Sequence, residues 1–110
     1  VVSTRRLDEI GPHDDLTGRI VVGAGVTLEA LQQHLAPTGW AFGVDLGARG
    51  SATIGGMAAT NAGGVHVISH GDMRRQVKGI SAVMADGTRV EHLGGLEKDN
   101  TGLHLEGLLV

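Results

Sequence analysis

Between Asp45 and Gly64 the chain reads DLGARGSATIGGMAATNAGG, and this run limits the fold more than any other. Six of its residues are glycine, most of the others are Ala, Ser, Thr or Asn, and none is aromatic. Side chains this small bury little apolar area, so the run cannot make a core alone. It can bring main-chain N–H groups close to a large group and set short hydroxyls and amides beside them. That pattern points to a backbone cradle for a phosphate-bearing or planar cofactor. The competing reading is steric, with the glycines serving tight turns and a close helix crossing. A single turn needs only one or two glycines, which favours the cradle.

The remaining composition narrows the class. At 110 residues the chain holds one domain or a piece of one. Only Trp40 and Phe42 are aromatic, so Val, Ile, Leu, Met and Ala must build the core. A net charge of -3 without a basic patch excludes a nucleic-acid surface. The absence of cysteine excludes disulfides, thiolate zinc sites and thiol catalysis, and suits a cytoplasmic protein. No apolar run reaches the roughly 18 residues of a membrane span. The chain opens inside an apparent strand and closes on Leu108–Leu109–Val110, so it is expected to be a piece of a larger protein.

In chain order, Asp14–Asp15–Leu16–Thr17–Gly18 is turn chemistry, and Arg19 to Val22 is expected to pair with the preceding segment as a hairpin. Ile20–Val21–Val22–Gly23–Ala24–Gly25 before a helix imitates the start of a dinucleotide-binding unit. The fingerprint's third glycine is replaced by Leu28, and no acid closes a second strand, so an NAD site is disfavoured. Thr27 should cap a helix to Leu35, with Leu28, Leu31 and Leu35 on its buried face. Pro37 and Gly39 end it, and Trp40–Ala41–Phe42 reads as a small apolar knot in the core. A short helix from Ile54 to Thr60 should turn Met57 and Ala58 inward, with Ser51 and Thr53 at a start that favours phosphate. His66, His70 and Asp72 raise a metal site, but Val65, Val67 and Ile68 favour an extended chain, and no HExxH pattern is present. Val77 to Ala85 and Thr88 to Leu93 should form a hairpin about Asp86–Gly87, with Val83 and Met84 buried.

The glycine-rich run resembles the second flavin-contacting segment of FAD-dependent oxidoreductases of the vanillyl-alcohol oxidase and p-cresol methylhydroxylase (PCMH) type. It is most similar to their D-2-hydroxyacid dehydrogenase branch, which includes D-2-hydroxyglutarate, D-lactate and glycolate dehydrogenases. The likeness runs from about Val1 to the C-terminus and has a second anchor, KDNTG at Lys98 to Gly102. It implies an α+β fold: the second subdomain of a PCMH-type FAD-binding domain, with a mixed or antiparallel sheet and flanking helices. Residues 1–110 would then be a partial FAD domain. By the same resemblance Ala48 and Thr53 contact FAD, Gly56 lets the chain approach the pyrophosphate, and Thr60, Asn61, Ala62 and Gly63 lie near the flavin ring and ribityl chain.

The family's usual Tyr is replaced by His70, and its Tyr–Asp after KDNTG by Leu103–His104, so substrate contacts are not carried over from that edge. The upstream pyrophosphate loop, the GSEGTLG-type segment and the substrate domain with its metal-binding histidines lie outside this sequence, so no catalytic or metal residue is assigned. The resemblance implies a flavoenzyme that oxidises a small 2-hydroxy acid and passes electrons to an acceptor other than NAD. The alternative is a small non-catalytic binding domain that kept the fold. Without the rest of its parent chain, the cradle is expected to be mobile or to self-associate.

Overall fold

Thr27 and Thr53 face one another in an antiparallel bridge, and each begins a helix. The computed structural model, which describes residues 1–93 and 110, is organised around this pair. Thr27 Oγ1 accepts the N–H of Ala30 at 3.2 Å and caps α1 (Leu28–Leu35). Thr53 Oγ1 accepts the N–H of Gly56, also at 3.2 Å, and caps α2 (Ile54–Ala59). The first N–H groups of a helix have no partner inside it, and the bridge supplies the missing acceptors. Leu28 donates to the carbonyl of Ala52 and Ile54 to that of Val26, each at 2.8 Å. Glu29 donates to Arg49 and Gly55 to Ala24, each at 2.9 Å. Each helix start thus takes acceptors from the segment leading into the other.

The buried face of α1 is Leu28, Leu31 and Leu35, at the helical spacing read from the sequence. Thr38 Oγ1 donates to the carbonyl of Leu35 at 2.6 Å, and a 3-10 turn over Ala36–Thr38 ends on left-handed Gly39. Opposite α1, Met57 of α2 joins Leu28, Val44, Met73 and Val110 in one buried cluster. Val26, Leu31 and Leu35 form a second, with Ile10, Ile20 and Val22 packed on it. Half-buried Phe42 and Ile54 touch both clusters and join them into one core.

Two single-turn helices follow, α3 (Val67–His70) and α4 (Met73–Gln76), then β1 (Ile80–Val83) and β2 (Arg89–His92). The strands pair antiparallel, with Ile80 opposite His92 and Val83 opposite Arg89. Gly87 donates to the carbonyl of Met84 at 2.9 Å and takes a left-handed φ of 89°, so the expected Asp86–Gly87 turn is present. This is the α+β arrangement anticipated, with helices beside an antiparallel pair. KDNTG lies outside the described residues.

Several expectations need correction. The first hairpin is there only as the bridges Ile10–Val22 and Asp14–Arg19, because Pro12 has no N–H to give a ladder. Residues 67–70 are helical rather than extended; one turn closed by local bonds overrides a weak β preference. Val83 is 72% exposed, because the register puts Ile80 and Ala82 on the inner face and leaves Val83 and Arg89 outside. Met84 follows it outward, at the turn. Trp40 is 43% exposed and lies against His13 at 5.1 Å instead of filling the core. Gly23 and Gly25 do not open onto a ligand crevice: a Cβ at either would strike the main chain of Leu7 or Thr4. The described strands are antiparallel, so the dinucleotide-binding reading has no parallel sheet to rest on.

Candidate functional site

The glycine-rich run is a closed loop. Val65 donates to the carbonyl of Asp45 at 3.0 Å, pinching its two ends together. The Asp45 carboxylate accepts from Gln32 Nε2 at 3.0 Å and pairs with Arg49 Nη2 at 2.9 Å, which anchors the near end to α1. Ala48 opens a tight turn, its carbonyl accepting from Ser51 at 3.0 Å and Ala52 at 2.9 Å.

The glycines divide into two groups. A Cβ on Gly55 would meet Ala24 Cβ at 2.6 Å and the Ala24 carbonyl oxygen at 2.9 Å, and one on Gly64 would strike the main chain of Asp45. These two glycines serve chain packing, as the steric reading had it. Gly47 faces nothing within 4 Å, and Gly56 meets only its own cap, Thr53 Oγ1, at 3.0 Å. Gly63 meets only a side-chain edge, Val67 Cγ2 at 3.3 Å. Among the described residues no acceptor is bonded to the N–H of Gly47, Gly50 or Gly63.

Thr53, Gly56 and Thr60 recur at helical spacing on one side of α2. Thr60 Oγ1 donates to the carbonyl of Gly56 at 3.0 Å. Gly56, Ala59, Thr60 and Gly63 are exposed, while Met57 on the other side is buried. The result is an open face of small groups backed by a rigid core, and it fits a flat or extended cofactor. The start of α2 does not offer free donors, however. The N–H groups of Ile54, Gly55 and Gly56 are spent on Val26, Ala24 and Thr53 Oγ1, so the phosphate-binding role expected there is not available.

The helix ends in a Schellman motif: Ala62 donates to the carbonyl of Met57 at 2.9 Å and Asn61 to that of Ala58 at 3.1 Å. Asn61 takes the left-handed position, φ 47°. Its Nδ2 donates to Asp72 Oδ2 at 3.0 Å, and its Oδ1 accepts the N–H of Arg74 at 2.9 Å. The Asn61 amide, the first cause, and the Arg75 N–H hold the Asp72 carboxyl below the ordinary aspartate value. The contribution of this contact is present above pH ~4, where the free carboxyl is ionised, and fades as the pH falls below it.

Six of the seven residues singled out in the sequence are thus contiguous: Thr53, Gly56, Thr60, Asn61, Ala62 and Gly63 follow one another along α2 and its closing turn. Ala48 stands apart in the preceding turn. Asp72 was read as a possible metal partner of His66 and His70, but its carboxylate faces Asn61 and caps α4. The two imidazoles lie edge to face at 6.0 Å, with His70 Nδ1 on Ser69 Oγ at 2.8 Å. Among the described residues no three His, Asp or Glu side chains converge. The tie from Asn61 to Asp72 and Arg74 was missed; Asp72, an N-cap residue type, was its one signal.

Removing the Thr53 cap is expected to be mild. Thr53→Ala should lower stability by about 1 kcal/mol in chemical denaturation. Its loss of one neutral hydrogen bond should weaken the binding of a cofactor on this face by no more than about fivefold.

A family model described as an FAD binding domain matches residues 1–92. The chain is 43% identical over its whole length to a mitochondrial D-2-hydroxyglutarate dehydrogenase of Bos taurus, covering 20% of that protein. It is 39% identical to a putative mitochondrial D-lactate dehydrogenase of Schizosaccharomyces pombe, again over its whole length and covering 21% of that protein. A D-2-hydroxyglutarate–pyruvate transhydrogenase of Saccharomyces cerevisiae is 31% identical over all 110 residues, which cover 22% of it. The chain therefore spans about a fifth of the length of the curated relatives it matches.

Proposed function

Because the chain belongs to the FAD-binding domain family, we propose that it forms one wall of the flavin site in an oxidoreductase acting on a D-2-hydroxy acid. Residues 1–110 are then part of a PCMH-type FAD domain within a longer protein. The observation that carries the reading is the open face of α2, where Gly56 presents bare main chain on an otherwise ordered helix. The substrate class follows the relatives, which are named as D-2-hydroxyglutarate and D-lactate dehydrogenases. Bound FAD would supply the hydride acceptor for such an oxidation, with the electrons destined for an acceptor other than NAD.

This chain's residues hold and orient. Gly56 and Gly63 let the main chain come close to the cofactor, and Ala48 and Ala62 add small apolar surface. Thr60 Oγ1 has lone pairs free for a donor, since its proton is engaged with Gly56. Thr53 Oγ1 has a proton free to donate, since it accepts from Gly56 N–H. Asn61 contributes its main chain. No described helix is long and apolar enough to cross a membrane. A cytoplasmic compartment is the reading proposed here, whereas the relatives are named mitochondrial. Imaging the tagged full-length protein separates the two.

A titration with FAD, read by flavin fluorescence, tests the wall. Cofactor sites bury about 70–90% of their ligand, and one wall leaves a face of the flavin in water. Each lost hydrogen bond to a charged phosphate is worth roughly 1.5–3 kcal/mol. The isolated 110-residue chain is therefore expected to bind FAD at least about a hundredfold more weakly than the full-length protein. Equal affinity would show that this half suffices. A full-length protein that binds no FAD would favour the non-catalytic binding domain.

A further inference from the structure

Among the described residues five have a left-handed φ, and four of them are glycines: Gly18, Gly39, Gly71 and Gly87. The fifth is Asn61, inside the most glycine-rich part of the chain. A Schellman cap needs a left-handed residue and usually takes glycine. Asparagine there points to a use for its side chain.

That use is visible at the start of α4. Its first three N–H groups all need acceptors. Met73 donates to the carbonyl of Ala62 at 3.0 Å, Arg74 to Asn61 Oδ1 at 2.9 Å, and Arg75 to Asp72 Oδ1 at 3.3 Å. Two of the three acceptors belong to the turn that closes the glycine-rich run. Asn61 Nδ2 completes the junction by donating to the other Asp72 oxygen. Both ends of the Asn61 amide are therefore used within the chain, and α4 is itself fixed through Met73, which is buried in the core.

We propose that Asn61 is a positioning residue for FAD: its side chain locks the Thr60–Gly63 turn onto the start of α4 and makes no flavin contact of its own. The inference rests on the flavin-wall reading above. The main chain of the turn then meets the cofactor in one conformation, and the Asn61–Asp72 pair acts at one remove.

Asn61→Gly tests this cleanly, because glycine keeps the left-handed cap and deletes only the lock. In the full-length apo-protein it should leave the fold intact and weaken FAD binding, read by flavin fluorescence, by about tenfold. The N–H of Arg74 should exchange faster with solvent in the same variant. Asn61→Asp sets two carboxylates against each other and should lose at least as much. The swap Asn61→Asp with Asp72→Asn rebuilds both bonds with the donor on the other side and keeps an N-cap residue at 72. It should recover FAD affinity to within about threefold of the unaltered protein. Asn61→Gly with unchanged affinity, or a swap no better than Asn61→Asp alone, overturns the proposal. Gly56→Val separates the two readings. If it loses FAD while Asn61→Gly does not, the wall stands and the lock falls; if neither loses FAD, both fall.

Discussion

Valine at Gly56 is expected to abolish FAD retention in the full-length protein while the apo form still folds; valine at Gly55 is expected to prevent folding. The two positions are adjacent and differ only in what lies beyond the missing Cβ. At Gly55 the new atom meets Ala24 Cβ at 2.6 Å and Ala24 Cα at 3.0 Å, where the chain cannot yield without breaking the bridge between the helix starts. At Gly56 the nearest atom is the Thr53 hydroxyl at 3.0 Å, and the rest is open. Valine recovers only a few tenths of a kcal/mol of helix propensity over glycine, so the disturbed cap costs the apo-protein no more than about 1 kcal/mol and it still folds. On the flavin-wall reading the methyls would occupy the cofactor's space, and overpacking of roughly 1–3 kcal/mol reduces affinity by up to about a hundredfold, enough to strip flavin during purification. Flavin-to-protein absorbance after purification and thermal melting of the apo-protein measure the two effects separately. Gly56→Val protein that purifies with full flavin would remove α2 from the site.

Leu28→Ala is expected to cost about 2–5 kcal/mol, read from denaturant unfolding. Leu28 has no exposed surface, packs in the cluster with Met57 and Met73, and is the first residue of α1, so the cavity lies beside the bridge. A domain of ordinary stability has only about 5–15 kcal/mol to lose. Val83→Ala is the matched control. Its side chain is 72% exposed on the outer face of β1 and should change stability by no more than about 0.5 kcal/mol. Equal losses at both positions would refute the assignment of the core.

What could be read in advance was local. The Thr27 cap and the three leucines define α1 by spacing alone, and Asp86–Gly87 marks the hairpin without reference to anything distant. The short helix from Ile54 was legible because Thr53 is a cap residue type and Met57 is a large apolar side chain in the run. What was not legible depended on partners far along the chain. Val83 looked buried because it is apolar, but its face is set by pairing with Arg89. The N–H groups at the start of α2 looked free because nothing near Thr53 in sequence could take them; Ala24 and Val26 do. Asp72 was seen beside two histidines, although its partner was Asn61 on the far side of the glycines.

The paired helix starts tie the glycine-rich run to the first half of the chain. α1 has eight residues and α2 six, both shorter than the roughly 12–15 needed for a helix to persist alone in water. Each threonine cap closes its own first turn. The N–H groups of Leu28, Glu29, Ile54 and Gly55, however, take their acceptors from the segment leading into the other helix, so the two starts support one another. Joining Thr27 to Thr53 encircles the intervening chain, and the closure penalty rises only slowly with the size of that ring. The exposed face of α2 is thereby tied to the seating of α1. On the flavin-wall reading, a change at the start of α1 would then reach the cofactor through α2.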